Sequence, residues 1–483
     1  MNTSQSDAPS RTNVTRRRVL QTAGAVAATG ALSAAAARQT AVAAPESTRP
    51  GPRTDYDVIV IGAGYAGVTA ARELKDRGLR PVIVEARNRI GGRTWTGTLA
   101  GKPVEFGAGW FCNDQQLVMR ELNRYGIGLT IDGVDINRAI FPAVSGGYET
   151  VDAGEAFGHN DTLLAKLFAG SDEYFPRPLE PLYAEHLVAR VDSFSLGDRL
   201  RQLRLSPRDN LWLSGTTASY SGGHSDTGGL TALAQWWALP GGDAAGWHTL
   251  MQQSPVGGMY GLLRAMLADS GAPVYYNNPV QTVSDDGRRV QVITRSGKVL
   301  TAPAAVVAVP ANVWRNIRFA PGLPPMHAEL ATQGSGVPRT TKFWAQITTD
   351  SDFFLSHGAE GYQVSTLFSY HTLDNGDQIV VGFTEDPGFD PTSHAQLTAA
   401  LARMGVRARV VDVRAQNWGA DEFALGGWAL RRPRQLLRHL PAVQHPHGRI
   451  TFANDGIATG WNGFVDGAIE TGIRAAGQAA QLV

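Results

Sequence analysis

The 483-residue chain has a single cysteine, Cys112, so no internal disulfide can form and no cysteine-built metal cluster is available. Its 11 histidines show no metal-ligand spacing, such as a pair four apart beside a glutamate, and a metal enzyme is not indicated. Charge of one sign is missing too. The 44 Lys and Arg stand against 43 Asp and Glu, with no basic run outside the N-terminus, which argues against nucleic acid as a partner. No apolar stretch is a comfortable match for the roughly 20 residues of a membrane span. No internal repeat is present. What remains is 43% hydrophobic and 18% charged, enough for a large buried core and two or three domains.

The first 43 residues read as a separate segment. Arg16 and Arg17 precede the mildly apolar stretch "TAGAVAATGALSAAAA", and Ala41-Val42-Ala43 follows as a small-residue cleavage site. This layout predicts a twin-arginine export signal and a periplasmic or secreted protein. Removing residues 1–43 takes away five arginines and one aspartate and turns the net charge from +1 to −3.

The strongest local signal begins at Asp57. "DVIVI" is a short continuous apolar run, as expected of a strand buried on both faces. Gly62, Gly64 and Gly67 then satisfy G-x-G-x-x-G, "VTAARELKDRG" reads as a helix, and "RPVIVE" supplies a second strand ending at Glu85. The first glycine permits a tight turn and the second a close approach of pyrophosphate to the backbone. The third lets helix pack on strand, while the helix N-terminus favours the phosphate charge. Glu85 stands where an acid accepts the ribose hydroxyls of an adenosine. Strand, glycines, helix, strand and acid in this order predict dinucleotide binding. NAD and FAD share the fingerprint, and the loop does not choose between them.

The stretch that follows, "EARNRIGGRT" (85–94), resembles the flavin-containing monoamine oxidase family, whose members carry E-A-x-x-x-x-G-G-R after the second strand. The resemblance implies FAD. Gly91 and Gly92 would let the backbone pass close to its diphosphate and Arg93 would neutralise it, with Ala66 and Arg87 among the cofactor contacts. "VEFGAGWF" (104–111) is similar to the family segment under the flavin, with Gly109 and Trp110 at contact positions. Val280 matches the position whose backbone meets the adenine. "ITFANDGIATGWNGFVDGAIETGIRAA" matches the segment that closes over the isoalloxazine, bringing Asp455 and Val465. Many members have Gly-Glu where this chain has Asn454-Asp455, so Asp455, one methylene shorter, inherits a ribityl contact whose detail is open. Where covalent members carry a cysteine, "LGGWAL" offers Gly427, which implies non-covalent FAD.

Three further positions carry the implied chemistry. Lys342 in "TTKFWAQI" matches the lysine that holds a water against flavin N5. Trp428 and Phe464 match the aromatic pair flanking the substrate nitrogen. Without the resemblance, a lysine in an alternating strand reads as solvated and aromatics in glycine-rich strands read as core. The implied fold class is α/β: a Rossmann-like FAD-binding domain of amine oxidase type with an α+β substrate domain. The former is assembled from pieces near 55–115, 249–315 and 423–483, the latter from 116–248 and 316–422.

The implied reaction is transfer of a hydride from the α-carbon of a neutral amine to FAD, the imine then hydrolysing, with oxygen or a redox protein as the final acceptor. "FPRPLEPLY" and "GWNGFVDGAIETG" are similar to the bacterial nicotine-oxidising branch, and point to a cyclic or aryl-alkyl monoamine. An arginine after the segment "GAGW" would mark an amino-acid oxidase, and Phe111-Cys112-Asn113 stand there instead. Asp114 is the only nearby acid for a polyamine. Arg431 and Arg432, shortly after Trp428, remain able to fold back and bind a carboxylate. Trp236, Trp237 and Trp247 either wall the pocket or fill core. An L-amino-acid oxidase, a flavin desaturase or porphyrinogen oxidase, and a non-catalytic FAD-binding protein stay open as alternatives.

Overall fold

The computed structural model describes residues 56–131 and 133–483, so the export-signal reading of residues 1–43 lies outside the described residues. Strand β1 (Val58–Ile61) is buried at all four positions, as its unbroken apolar run requires. The chain then turns at Gly62, whose φ of +104° suits glycine, and where a Cβ would stand 2.7 Å from the Ala308 carbonyl oxygen. Helix α1 (Tyr65–Asp76) starts three residues earlier than the apolar pattern suggested, with Gly64 as its N-cap. A Cβ on Gly67 would lie 2.0 Å from the Gly62 carbonyl oxygen, so only glycine lets this helix leave the strand so closely. Strand β2 (Pro81–Val84) returns parallel to β1, with Val58 opposite Pro81 and Ile61 opposite Val84.

These two strands are the centre of a five-stranded parallel sheet. Its order is Ile450–Phe452, Ala304–Val307, β1, β2, Val274–Tyr275. One face is covered by α1, the helix Gly258–Ser270 and the C-terminal helix Val465–Ala480, with α2 (Gln116–Tyr125) contributing Val118 and Leu122 to the same core. All five strands come from the segments 55–115, 249–315 and 423–483.

A second, seven-stranded sheet draws every strand from 116–248 and 316–422. Four of its strands matter below: β3 (Thr341–Thr349), β4 (Phe354–His357), β5 (Thr366–Thr372) and β6 (Gln378–Thr384). The order is Ala408–Asn417, β3, β6, β5, β4, Arg138–Pro142, Tyr148–Asp152. Pairing crosses the segment boundaries elsewhere: Arg318–Ala320 lies parallel to Val280–Asp285, and Leu129–Ile131 pairs with Gln253–Pro255. An aromatic-rich helical layer, including Trp212, Trp236, Trp237 and Trp247, forms a third core beside these sheets.

A buried ion pair ties α1 to α2. Arg72 donates from Nη2 to Glu121 Oε1 at 3.0 Å, its Nη1 pairs with the other carboxylate oxygen, and both side chains have no solvent exposure. Removing Glu121 leaves the fully buried Arg72 guanidinium with only Tyr125 and the edge of Glu73 as partners, whereas removing both members of the pair leaves mainly a packing defect. Glu121→Ala should therefore cost about 3 kcal/mol in urea denaturation followed by tryptophan fluorescence. The double variant Arg72→Met, Glu121→Leu should recover most of that loss.

Candidate active site

A deep cavity, with about 2250 Å³ of empty space including its open mouth, begins at the C-terminal ends of β1 and β2 and runs to the face of the seven-stranded sheet. Of the residues assigned to the cofactor or to the reaction by resemblance, all line this cavity except Gly67. Gly67 instead performs the helix–strand packing just described.

The end of the cavity near β2 is polar. Glu85 is 3% exposed and accepts the Ala63 backbone N–H at 2.7 Å and the Arg87 N–H at 2.8 Å. Burial pushes its carboxyl upward, opposed by those two hydrogen bonds and by Arg87 and Arg89. The Arg87 guanidinium pairs with Asp421 and lies 5.2 Å over the Phe423 ring. Val280 lines the same end.

The middle is built from glycine and one ion pair. A Cβ on Gly64 would meet nothing nearer than the Gly91 carbonyl oxygen at 3.9 Å, and one on Gly92 nothing nearer than Gly64 Cα at 3.7 Å. Internal packing does not demand glycine at Gly64, and Gly92 needs it for a φ of +57°; the space that both keep open belongs to the cavity. Such a cradle, at the N-terminus of α1 with Ala66 on its wall, suits a pyrophosphate. Arg93 donates to the Gly427 carbonyl oxygen at 2.7 Å and pairs with Asp455, which brings together two predicted cofactor residues 362 positions apart. The donor set therefore fits FAD: a carboxylate for a ribose, glycines for a diphosphate, a guanidinium and a second carboxylate beyond.

At the far end lies Lys342, on β3. It is 2% exposed, donates to the Gly107 carbonyl oxygen at 3.0 Å and stands 3.9 Å over the Trp110 ring. Burial pushes its amine down to about 7, with Glu105 nearby opposing. Gly109 and Trp110 follow on the same segment; a Cβ at Gly109 would sit 2.6 Å from the Glu105 side chain. Facing them are Trp428 and Phe464. Trp428 donates from its indole to the Tyr220 carbonyl oxygen at 3.1 Å, and Phe464 meets Trp236 edge-on at 4.7 Å. Val465, beside Phe464, opens the C-terminal helix.

Several lining residues were not found from the sequence. Tyr220 links Trp428 to Trp236, lying 6.3 Å from the first and 5.8 Å from the second. His357, Thr366 and Phe383 line the sheet side, and Thr216, Ser219, Leu250 and Met251 the opposite side. Of the three tryptophans left open, Trp236 walls the cavity, while Trp237 and Trp247 are core. Arg431 and Arg432 do not line the cavity. Arg431 is buried behind it, donating to Gln235 Oε1 at 2.7 Å and to the Ala458 carbonyl oxygen at 2.6 Å. Neither Cys112, which is buried, nor Asp114, which is exposed, lines it either.

Comparison with known proteins agrees with this geometry. The family described as flavin containing amine oxidoreductase matches residues 65–480. A nicotine dehydrogenase of Pseudomonas putida is 33% identical over 466 residues, covering 96% of this chain and 95% of that protein. A pseudooxynicotine dehydrogenase of a Pseudomonas species is 31% identical over 479 residues, covering 96% and 95%. Among solved structures, a putrescine oxidase bound to putrescine superimposes with a TM-score of 0.72 at 22% identity, covering 89% of this chain and 100% of that one, which speaks to fold. The chain belongs to the flavin-containing amine oxidoreductase family.

Proposed function

We propose that this FAD-dependent amine oxidase acts on a cyclic or aryl-alkyl monoamine of the kind for which its two Pseudomonas relatives are named. One observation carries the reading. Among the described residues, the aromatic end of the cavity is lined by Trp428, Phe464, Tyr220, Trp236 and Phe383 with no carboxylate and no arginine, Lys342 being the only charged group there. A polyamine would bury its second ammonium without an anion, at a cost of several kcal/mol, and an α-amino acid would find for its carboxylate no arginine, only Lys342, whose charge burial disfavours.

The walls also set the protonation state of the substrate. An ammonium has no lone pair to assist loss of a hydride from its α-carbon, and desolvation by aromatic walls favours the neutral amine. Trp428 and Phe464 flank the nitrogen and aim one C–H bond, which is a positioning role. FAD, when bound, supplies the hydride acceptor at N5. Lys342 commits one hydrogen bond to Gly107 and retains donor capacity for a water beside that ring.

The finer points of the reading are proposals of the same standing. FAD is held non-covalently, because Gly427 stands at the attachment position and the only cysteine, Cys112, does not line the cavity. The cofactor domain comprises the segments of the parallel sheet and the substrate domain those of the seven-stranded sheet. Arg16, Arg17 and the Ala41-Val42-Ala43 site support export by the twin-arginine route. Both Pseudomonas relatives are named dehydrogenases, which favours an electron acceptor other than oxygen.

Three outcomes are expected. Under nitrogen and at equal concentrations, an aryl-alkyl or cyclic amine should bleach the flavin faster than an aromatic L-amino acid or spermidine; faster reduction by the amino acid would refute the monoamine reading. Acid precipitation should release all yellow colour into the supernatant. The third concerns Lys342, whose amine lies near 7 when folded against an ordinary value near 10.4. Below pH 7 it is charged in both states and the full burial cost applies. Between 7 and about 10 the folded state sheds the proton that the unfolded state keeps, so stability rises with pH. Lys342→Met removes this dependence. Its stability relative to the parent, in flavin-free protein, should be about 3 kcal/mol more favourable at pH 6 than at pH 9 by urea denaturation.

A further inference from the structure

The seven-stranded sheet places four cavity residues in one row. Lys342 on β3 is opposite Phe383 on β6, Phe383 is opposite Thr366 on β5, and Thr366 is opposite His357 on β4. Directly opposed residues of antiparallel strands share a face, and all four line the cavity. At a spacing of about 4.8 Å between strands, Thr366 lies roughly 10 Å and His357 roughly 14 Å from Lys342 along this row. The row thus runs from the reacting end, past an apolar ring, to a polar pair.

That pair has hydrogen-bonding capacity to spare. Thr366 Oγ1 and His357 Nδ1 are 3.2 Å apart. A hydroxyl and a neutral imidazole carry one polar hydrogen each; with the ring N–H shared between the Ser365 backbone carbonyl and Thr366 Oγ1, the Thr366 hydroxyl hydrogen is left to donate. Burial pushes the imidazole down to about 4, with the Ser365 backbone opposing, so it is neutral where the enzyme works. Aromatic rings flank the pair: Phe141 packs 5.5 Å from the His357 ring, and Phe383, opposite Thr366, lies 6.4 Å from Trp428. Across the cavity, Ser219 spends its hydroxyl hydrogen on Ser365 Oγ at 3.2 Å.

We propose that His357 and Thr366 form a specificity anchor that donates a hydrogen bond to an acceptor on the non-reacting end of the substrate, a pyridine-type nitrogen or an aryl ketone oxygen. This rests on the monoamine reading and narrows it: the amine sits at the Lys342 end and a heteroaromatic or carbonyl group at the other. A hydrocarbon in the same place would leave the donor pair desolvated and unmatched.

The test uses the flavin-loaded enzyme and two matched amines, N-methyl-4-(3-pyridyl)butan-1-amine and N-methyl-4-phenylbutan-1-amine. Hydrophobicity alone favours the phenyl compound. The anchor predicts the reverse, an apparent Kd at least about fivefold tighter for the pyridyl compound, read from anaerobic flavin reduction. His357→Phe and Thr366→Val should each abolish that preference, and Tyr220→Phe should keep it. A parent enzyme that prefers the phenyl compound, a preference that survives both variants, or one lost in Tyr220→Phe would overturn the anchor. If neither amine bleaches the flavin, the monoamine reading fails. The two binding affinities, read from quenching of the cavity tryptophans, still decide whether the pair recognises an acceptor.

Discussion

Three consecutive backbone carbonyls hold this molecule's two halves in register. Those of Glu105, Phe106 and Gly107 accept hydrogen bonds from Trp344 Nε1 at 2.9 Å, Trp418 Nε1 at 2.7 Å and Lys342 Nζ at 3.0 Å. The acceptors lie on the segment that follows the glycine-rich turn, and the donors on or beside the seven-stranded sheet. All three donors are buried, so their geometry is enforced by the cost of leaving polar groups unpaired away from water. A shift of this segment against the sheet would strand three buried groups at once. Because Gly107 opens the stretch "GAGW" and Trp110 closes it, the clamp also fixes the ring over which Lys342 lies.

The clamp separates two kinds of wall. On one side charge is abundant and already matched: Glu85 by two backbone N–H groups, Arg87 by Asp421, Arg93 by Asp455. On the other, rings pack edge to face from Trp428 through Tyr220 and Trp236 to Phe464. A nucleotide brings its own charges and needs prepared partners for them, whereas a neutral amine needs shape and the exclusion of water. The same cavity serves both because its polarity changes along its length. Lys342 stands where the change occurs, and its lowered amine is the electrostatic consequence.

Legibility in the sequence followed contact distance along the chain. From Val58 to Glu85, strand, turn, helix and strand meet within about thirty residues, and Gly62 and Gly67 answer local steric demands that a pattern exposes. Gly92, Arg93, Trp110 and Lys342 were readable through family resemblance, because their partners are remote: Arg93 meets Asp455 across 362 positions and Lys342 meets Gly107 across 235. Tyr220, His357 and Thr366 were not readable, since only helix packing and strand register bring them to the cavity, and no local spacing encodes either. Arg431 shows the opposite failure. It is three residues from Trp428, yet Gln235 and Ala458 hold its guanidinium behind the wall rather than in it.

The row Lys342, Phe383, Thr366, His357 adds a consequence for how this architecture diversifies. In the proposed arrangement, reaction and recognition lie on one face of one sheet, at successive strands, with the backbone ladder fixing the interval between them. The side chain at each step can change without disturbing the ladder, because the hydrogen bonds of a sheet are made by the backbone and not by the residue displayed. The clamp on residues 105–107 draws on Lys342 and on Trp344 and Trp418, and none of the other three members of the row takes part in it. Substitution at Phe383, Thr366 or His357 therefore alters what the far end of the cavity recognises while the cofactor half, and the lysine that faces it, stay where they are.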